Sequence, residues 1–450
     1  MTGTVASTLT QGSITRPVIR LSATFALGSL LNLVSFVVDR KLVGLAGTHA
    51  LAALGSAHAA LMVIVTFALG LSIGALAGVA RHIGAGEPAQ AARFAFNGIY
   101  VGLGFGLIVF VCAFFVPAPL LAFMGADPDV SGPAASYLAV TMGGMVFHAP
   151  LLMLAFSLQG AGLARLALLL SAVPALLNAS LDWPFIFHLE LGVAGAAWAG
   201  VVAHAVGLAL ALFLLWRSPL RPQPGGLRVD LVRIRRIIQI GVPGSLEHMV
   251  RTSAGFALVA LITRFGAEVI SGYTSGQVIL MLLVTPGVAI GQATAALVGQ
   301  NLGAGAPRRA WDTVKVATAL YVGLVALAGL VVFLAADHLI GAFDPDPRVI
   351  AEGARMLRIG VLCFPFLAVA MVVSRAFAGA GRTLPMMVVA AIAHLGVQIP
   401  AVWWLSRAMG PTGAYIGMST AFAVHGVLSG AMFLRRFGPW RRNEPVHSGL

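Results

Sequence analysis

Charge is what this chain of 450 residues has least of: Asp, Glu, Lys and Arg together make up 10 % of it, against roughly 25 % in soluble domains. With 59 % of its residues hydrophobic, the chain cannot cover a water-soluble surface. Cysteine is nearly missing too. The two present, Cys112 and Cys363, lie in apolar runs without metal spacing, which excludes a disulfide framework and a cysteine metal centre and leaves core packing as the expectation. No Gly-rich loop ends in Lys-Ser/Thr, so nothing here cradles a nucleotide phosphate. No polar cluster marks a catalytic face and no His/Cys group has ligand spacing, so neither an enzyme nor a cofactor is expected. Acids are the scarcer sign of charge, 15 against 28 basic residues, for a net charge of +13. That excess calls for no nucleic acid, because basic loops beside a membrane meet anionic headgroups.

What the chain does have is length without charge. Stretches such as 42–80, 94–126 and 269–307 carry no Asp, Glu, Lys or Arg, and about 20 apolar residues cross a bilayer as helix. The pattern predicts an all-α integral membrane protein of twelve transmembrane helices, starting near residues 17, 50, 94, 134, 164, 192, 237, 269, 312, 352, 384 and 413. The first apolar segment ends in Asp39-Arg40-Lys41 rather than in small residues, so it does not read as a cleaved signal.

The chain also reads twice. Val79-Ala-Arg-His-Ile-Gly-Ala-Gly-Glu-Pro88 returns as Val298-Gly-Gln-Asn-Leu-Gly-Ala-Gly-Ala-Pro307, Asp127-Pro128 as Asp346-Pro347, Gly160-Ala-Gly162 as Gly379-Ala-Gly381, and Gly47 as Gly266, all at an offset of 219 residues. Duplication implies two similar halves, and transporters bind cargo where such halves face each other. Six helices per half is an even number, so the repeat is parallel, with a pseudo-two-fold axis along the membrane normal. The expected division is a lobe over 1–216, a Pro/Gly-rich cytoplasmic linker over 217–236 and a lobe over 237–450. Most basic residues, among them Arg81, Arg93, Arg165, Arg308 and Arg309, fall on the side of the termini. By the positive-inside rule both termini are cytoplasmic in a multi-pass protein of the inner (plasma) membrane, expected to work as a monomer among membrane lipids.

Only three acids fall within helical segments: Asp39, Asp182 and Glu247. Each charge in a bilayer costs at least about 2.5 kcal/mol. Helix 1 runs from Arg20 to Asp39 and helix 5 from Arg165 to Asp182, so both acids lie at similar depth, and Asn178 projects from the face of Asp182 one turn earlier. At the repeat offset these positions become Leu258, Val397 and Ala401. The scaffold is duplicated but the polar groups are not, which fits a cation site in the first half alone. Two plainer readings stay open: Asp39 balanced by Arg40 and Lys41 at the interface, and Asp182 ending its helix. In the second half Glu247 and Arg251 stand one turn apart, as an ion pair or as part of a cation-binding site. Tyr273, Gln277, Gln292, His394 and Gln398 are candidates for a second-half cavity or for helix packing. His82, His148, His204 and His425 read as lying on apolar faces.

In order along the chain, Asp39-x-x-x-x-Gly44, Leu51-Ala-Ala53, Gly160-Ala-Gly162, Asn178-x-x-x-Asp182-x-x-x-Ile186-Phe187, Gly192-Val-Ala-Gly-Ala-Ala197, Gly241-x-Pro243 and Gly379-Ala-Gly381 resemble the multidrug and toxic compound extrusion (MATE) family. The resemblance covers roughly 15–435. It implies a V-shaped pair of six-helix lobes that expels organic cations and amphipathic drugs in exchange for protons or sodium by alternating access. It places Asp39, Asn178 and Asp182 at cation-coupling positions, where sodium could bind, and Asn32 at a polar cavity position; Glu247, Arg251, Tyr273 and Gln277 are the second-half cavity candidates. Two departures matter. Relatives often carry Thr where this chain has Gly200, which removes an oxygen from a sodium cage and favours a proton. Thr24 stands where many have a helix-1 proline, leaving Gly28 as a source of flexibility. The rival within the same superfamily is a lipid-linked oligosaccharide flippase, whose pyrophosphate would call for many intramembrane cations; only Arg251 and Arg375 are available.

Overall fold

The computed structural model describes residues 9–125, 127–222 and 226–441, which contain no strand. Twelve long helices follow one another: α1 (Thr15–Leu45), α2 (Thr48–Gly84), α3 (Pro88–Cys112), α4 (Pro128–Gly143 with Met145–Gly160), α5 (Ala164–Trp183, extended by a π turn Pro184–His188), α6 (Gly192–Trp216), α7 (Leu231–Ile262), α8 (Ala267–Gly303), α9 (Pro307–Leu334), α10 (Pro347–Leu362 with Phe364–Gly379), α11 (Leu384–Ala391, a π segment Ile392–Gln398, and Ile399–Met409) and α12 (Pro411–Arg441). Among the described residues nine helices are long and apolar enough to cross a membrane, and eleven spans result when the bent pairs of α4 and α10 are counted. The remaining one, α7, carries Arg233, Arg235, Arg236, Glu247 and Arg251, which lower its hydropathy.

Several helices begin earlier than expected. Helices α3, α4, α9 and α10 start at Pro88, Pro128, Pro307 and Pro347 rather than near 94, 134, 312 and 352. Proline suits the first helical turn, where its missing N–H is not needed. The uncharged run begins only after a polar first turn, so it marks entry into the apolar layer and not the start of the helix. Helix α7 likewise takes in residues 231–236. Asp230 precedes it and accepts from the N–H of Val232 at 3.0 Å and of Arg233 at 3.1 Å. With the Arg233 guanidinium also on it, the Asp230 carboxyl is held below the usual carboxylate range.

The duplication recurs in local geometry. The two bends, 50° between Gly143 and Met145 and 53° between Leu362 and Phe364, are separated by the repeat offset. Asp127 and Asp346 cap the helices that follow them, accepting from the N–H of Asp129 at 3.0 Å and of Arg348 at 2.8 Å. Gly47 and Gly266 precede α2 and α8 with φ of 123° and 101°, a backbone region that glycine enters without strain.

By packing, the chain forms two units, one running from Ala23 to Ser245 and one from Leu246 onward joined by the segment that ends at Ser22. In the first, α2 and the start of α7 approach backbone to backbone. A Cβ on Gly74 would lie 2.2 Å from the Ile237 carbonyl oxygen, and Ser245 Oγ donates to the Phe67 carbonyl at 2.7 Å. Gly28 brings the unbroken α1 against Ser171 of α5, where a Cβ would come within 3.3 Å. An apolar cluster that includes Val43, Leu54, Leu138, Met142 and Ile186 fills this unit. In the second unit Tyr321 is 1 % exposed, and its hydroxyl donates to the Leu283 carbonyl at 3.1 Å. Arg309 ties the leading segment to this unit by donating to the Gly12 carbonyl at 2.7 Å. Cys112 and Cys363 are free thiols and half-buried, less enclosed than expected because Cys112 ends α3 and Cys363 sits at the bend of α10.

Candidate functional site

In the first unit, α1 and α5 bring three polar side chains together against the apolar cluster. Asp182 is fully buried and Asp39 is 7 % exposed. Each carboxylate lies within range of the other's charge, and Tyr137, on α4, within range of both. Asn178 Nδ2 donates to Asp182 Oδ2 at 3.4 Å and to Ser35 Oγ at 3.4 Å. The Ser35 hydroxyl hydrogen is committed to the Ala175 carbonyl at 2.9 Å. Its oxygen can therefore only accept, which fixes the Asn178 amide with its NH2 toward the carboxylate and its oxygen toward Gly200, where a Cβ would lie 3.2 Å away. Oδ1 of Asp39 and Oδ1 of Asp182 are both buried without a hydrogen-bond donor. Leaving a buried polar atom unpaired costs about 1–3 kcal/mol, and more when it is charged. Two such oxygens in apolar surroundings, on carboxylates within range of each other's charge, form a place for a proton or a small cation.

Asn32, on α1, is exposed and joins none of these bonds. Ser35 and Tyr137 escape sequence reasoning; the one signal is that Ser35 precedes Asp39 by one turn. His148 and His204 stack with ring centroids 4.0 Å apart, and His204 bonds the backbone of Gly200, one turn earlier on α6 and the residue that the Asn178 oxygen faces. His82 does not sit on an apolar face: Nδ1 pairs with Glu87 at 2.7 Å across the turn after α2.

The second unit places its candidates differently. Both oxygens of Glu247 accept from Ser374 Oγ, at 2.7 and 2.8 Å, and among the described residues no ion pair joins Glu247 to Arg251. The i,i+4 spacing allows that pair, but the helix face turns Glu247 toward α10. Ser374, like His248, carries no sequence signal beyond adjacency to a charge. Tyr273 is buried within range of Tyr415, and Gln277 is exposed; neither joins Glu247. His394 Nδ1 bonds Gln398 Oε1 at 2.7 Å and its Nε2 meets His425 Nδ1 at 3.1 Å. Ser374→Ala is expected to lower thermal stability by about 1–3 kcal/mol, since it strips a buried carboxylate of its donor. A melting curve in detergent checks this, with Ser374→Thr expected to retain the wild-type value.

A family model described as MatE matches residues 25–183 and, again, 243–404. A probable multidrug resistance protein NorM of Thermotoga maritima is 24 % identical over 92 % of this chain and 90 % of its own length. The multidrug resistance protein PmpM of Pseudomonas aeruginosa is 24 % identical over 90 % of this chain and 87 % of its own. Among solved structures, a MATE transporter in the bent conformation superposes with a TM-score of 0.91 at 22 % identity, covering 97 % of this chain and 98 % of that one, which shows a shared fold. With a model that recurs once in each half and spans most of the sequence, the chain belongs to the MatE family of multi-pass membrane transporters.

Proposed function

We propose that the protein is a secondary antiporter that exports amphipathic drugs, organic cations among them, in exchange for protons taken up at Asp39 and Asp182. No bound cofactor is needed, because the ion gradient supplies the energy. The chain acts as a monomer, with both termini cytoplasmic as its basic residues suggest.

The observation that carries proton over sodium is the direction of the Asn178 amide. Sodium is a hard cation that needs several oxygens. Here the amide presents N–H to the carboxylate while its oxygen faces Gly200, and Gly200 itself supplies no hydroxyl. Two carboxylates in an apolar site still need compensation, and a proton does this with one oxygen. A bare Asp182 Oδ1 beside an N–H donor on Oδ2 suits proton uptake at Oδ1.

The test is efflux of a cationic dye from vesicles containing only this protein, under an imposed pH gradient and then under an imposed sodium gradient at constant pH. The pH gradient is expected to drive efflux and the sodium gradient to leave it near the protein-free rate. Gly200→Thr places a hydroxyl beside Asn178 and is expected to create a sodium response. Sodium-driven efflux by the wild type at constant pH would overturn the reading.

A further inference from the structure

An unpaired cation is costly to keep inside a membrane, and the second unit holds one. Arg251 is half-buried on α7, and among the described residues no ion pair or hydrogen bond engages its guanidinium. Roughly 20 Å of helix separates it from Arg236 on one side and from Arg264 on the other, so neither headgroup layer is within its reach. Its charge is felt by His248, Tyr321, Arg375, His394 and His425, so it lies among the polar side chains of this unit.

The neighbours do not neutralise it. Arg375 Nη2 donates to His248 Nε2 at 2.8 Å; a guanidinium has only donors, so His248 offers a lone pair and is neutral. Gln398 Nε2 reaches the Ala254 carbonyl at 3.5 Å, which directs its Oε1 to His394. His394 therefore donates from Nδ1, accepts at Nε2 from His425 Nδ1, and leaves His425 Nε2 as a bare lone pair, on a residue 1 % exposed and without a partner. The acid of this cluster is Glu247, which Ser374 holds and whose charge reaches Arg375. Two fixed cations face one anion among neutral imidazoles. One positive charge is left over, and its counterion is an anion that the described residues around it do not supply.

We propose that this anion belongs to the cargo: Arg251 receives the acidic group, carboxylate or phosphate, of an amphipathic ligand, and Arg375 with Glu247 forms the charged floor beside it. A planar fork of donors suits either oxyanion. The substrate class then extends from organic cations to zwitterionic and acidic amphipaths. This rests on the export reading only for the direction in which such a ligand moves; its binding at equilibrium needs no gradient.

The experiment uses the full chain in phosphatidylcholine nanodiscs and two dyes that differ by one esterification, tetramethylrhodamine as free acid and as methyl ester, with affinity read by fluorescence polarisation. The wild type is expected to prefer the free acid. Arg251→Gln should weaken free-acid binding about ten-fold, or about 1.4 kcal/mol, and change ester binding by no more than about two-fold, while Arg251→Lys keeps a preference for the acid. Its melting temperature should equal or exceed that of the wild type, because an unpaired charge has been removed. Replacing part of the lipid with phosphatidylglycerol separates two sources of the anion: competition with the free acid that disappears in Arg251→Gln identifies a lipid headgroup as occupant, and absence of competition identifies the soluble acid. Equal weakening of acid and ester, no preference in the wild type, or a clear loss of stability in Arg251→Gln overturns the proposal. Failure of dye efflux with these binding results intact would count against export and not against the site.

Discussion

Asp182→Asn and Asp39→Asn are each expected to reduce gradient-driven dye efflux to the rate of protein-free vesicles, with folding and membrane insertion unchanged. Asparagine keeps the volume and one acceptor oxygen but cannot take up a proton. Folding survives because each replacement removes a charge from an apolar place and, at Asp182, leaves an oxygen to accept from Asn178. The two carboxylates lie within range of each other's charge, so they act as a unit and the double variant should lose no more than either single one. Efflux measured in vesicles with matched protein content, together with size-exclusion profiles, checks both halves of the statement. Wild-type rates in both variants would remove these residues from the coupling.

The second large effect concerns folding. A Cβ on Gly160 would lie 2.5 Å from the Leu76 carbonyl oxygen, and one on Gly379 would lie 2.2 Å from the Ala295 carbonyl oxygen. These are the same contact in the two repeats, and in each the obstacle is backbone, which cannot swing aside. Gly160→Val and Gly379→Val must therefore push α4 from α2 and α10 from α8. Overpacking of this kind costs about 3 kcal/mol or more, a large part of the stability of a typical fold. Little folded protein is expected from either variant, while Gly104→Val, where a Cβ meets nothing within 4 Å, should express normally. Expression and monodispersity in detergent measure the contrast.

The duplication was readable because conserved spacing does not depend on knowing the fold: Asp127 and Asp346, or Gly47 and Gly266, mark the same turns in structure as in sequence. Asp39 and Asp182 stood out because a charge within an apolar helix is costly and because the repeat offset turns both positions apolar, at Leu258 and Ala401. Ser35 and Tyr137 did not stand out. A hydroxyl within an apolar helix commonly bonds the carbonyl four residues earlier, as Ser72 does to Ala68 at 2.8 Å, and beyond its place one turn before Asp39 nothing local distinguishes Ser35, which bonds across to α5. The partner of Glu247 was missed because i,i+4 spacing reports which side chains can meet on one helix, and Ser374 approaches from another. Tyr273 is buried within range of Tyr415 while Gln277, one turn on, is exposed, a matter of helix rotation that spacing alone leaves open.

The central claim, that the buried carboxylates of the first unit exchange a proton for cargo, is most directly tested by following pH in weakly buffered, sodium-free detergent as a cationic dye is added to the purified protein. The wild type is expected to release protons in step with dye binding, and Asp182→Asn to release none. Saturable dye binding by the wild type with no change in pH would contradict it.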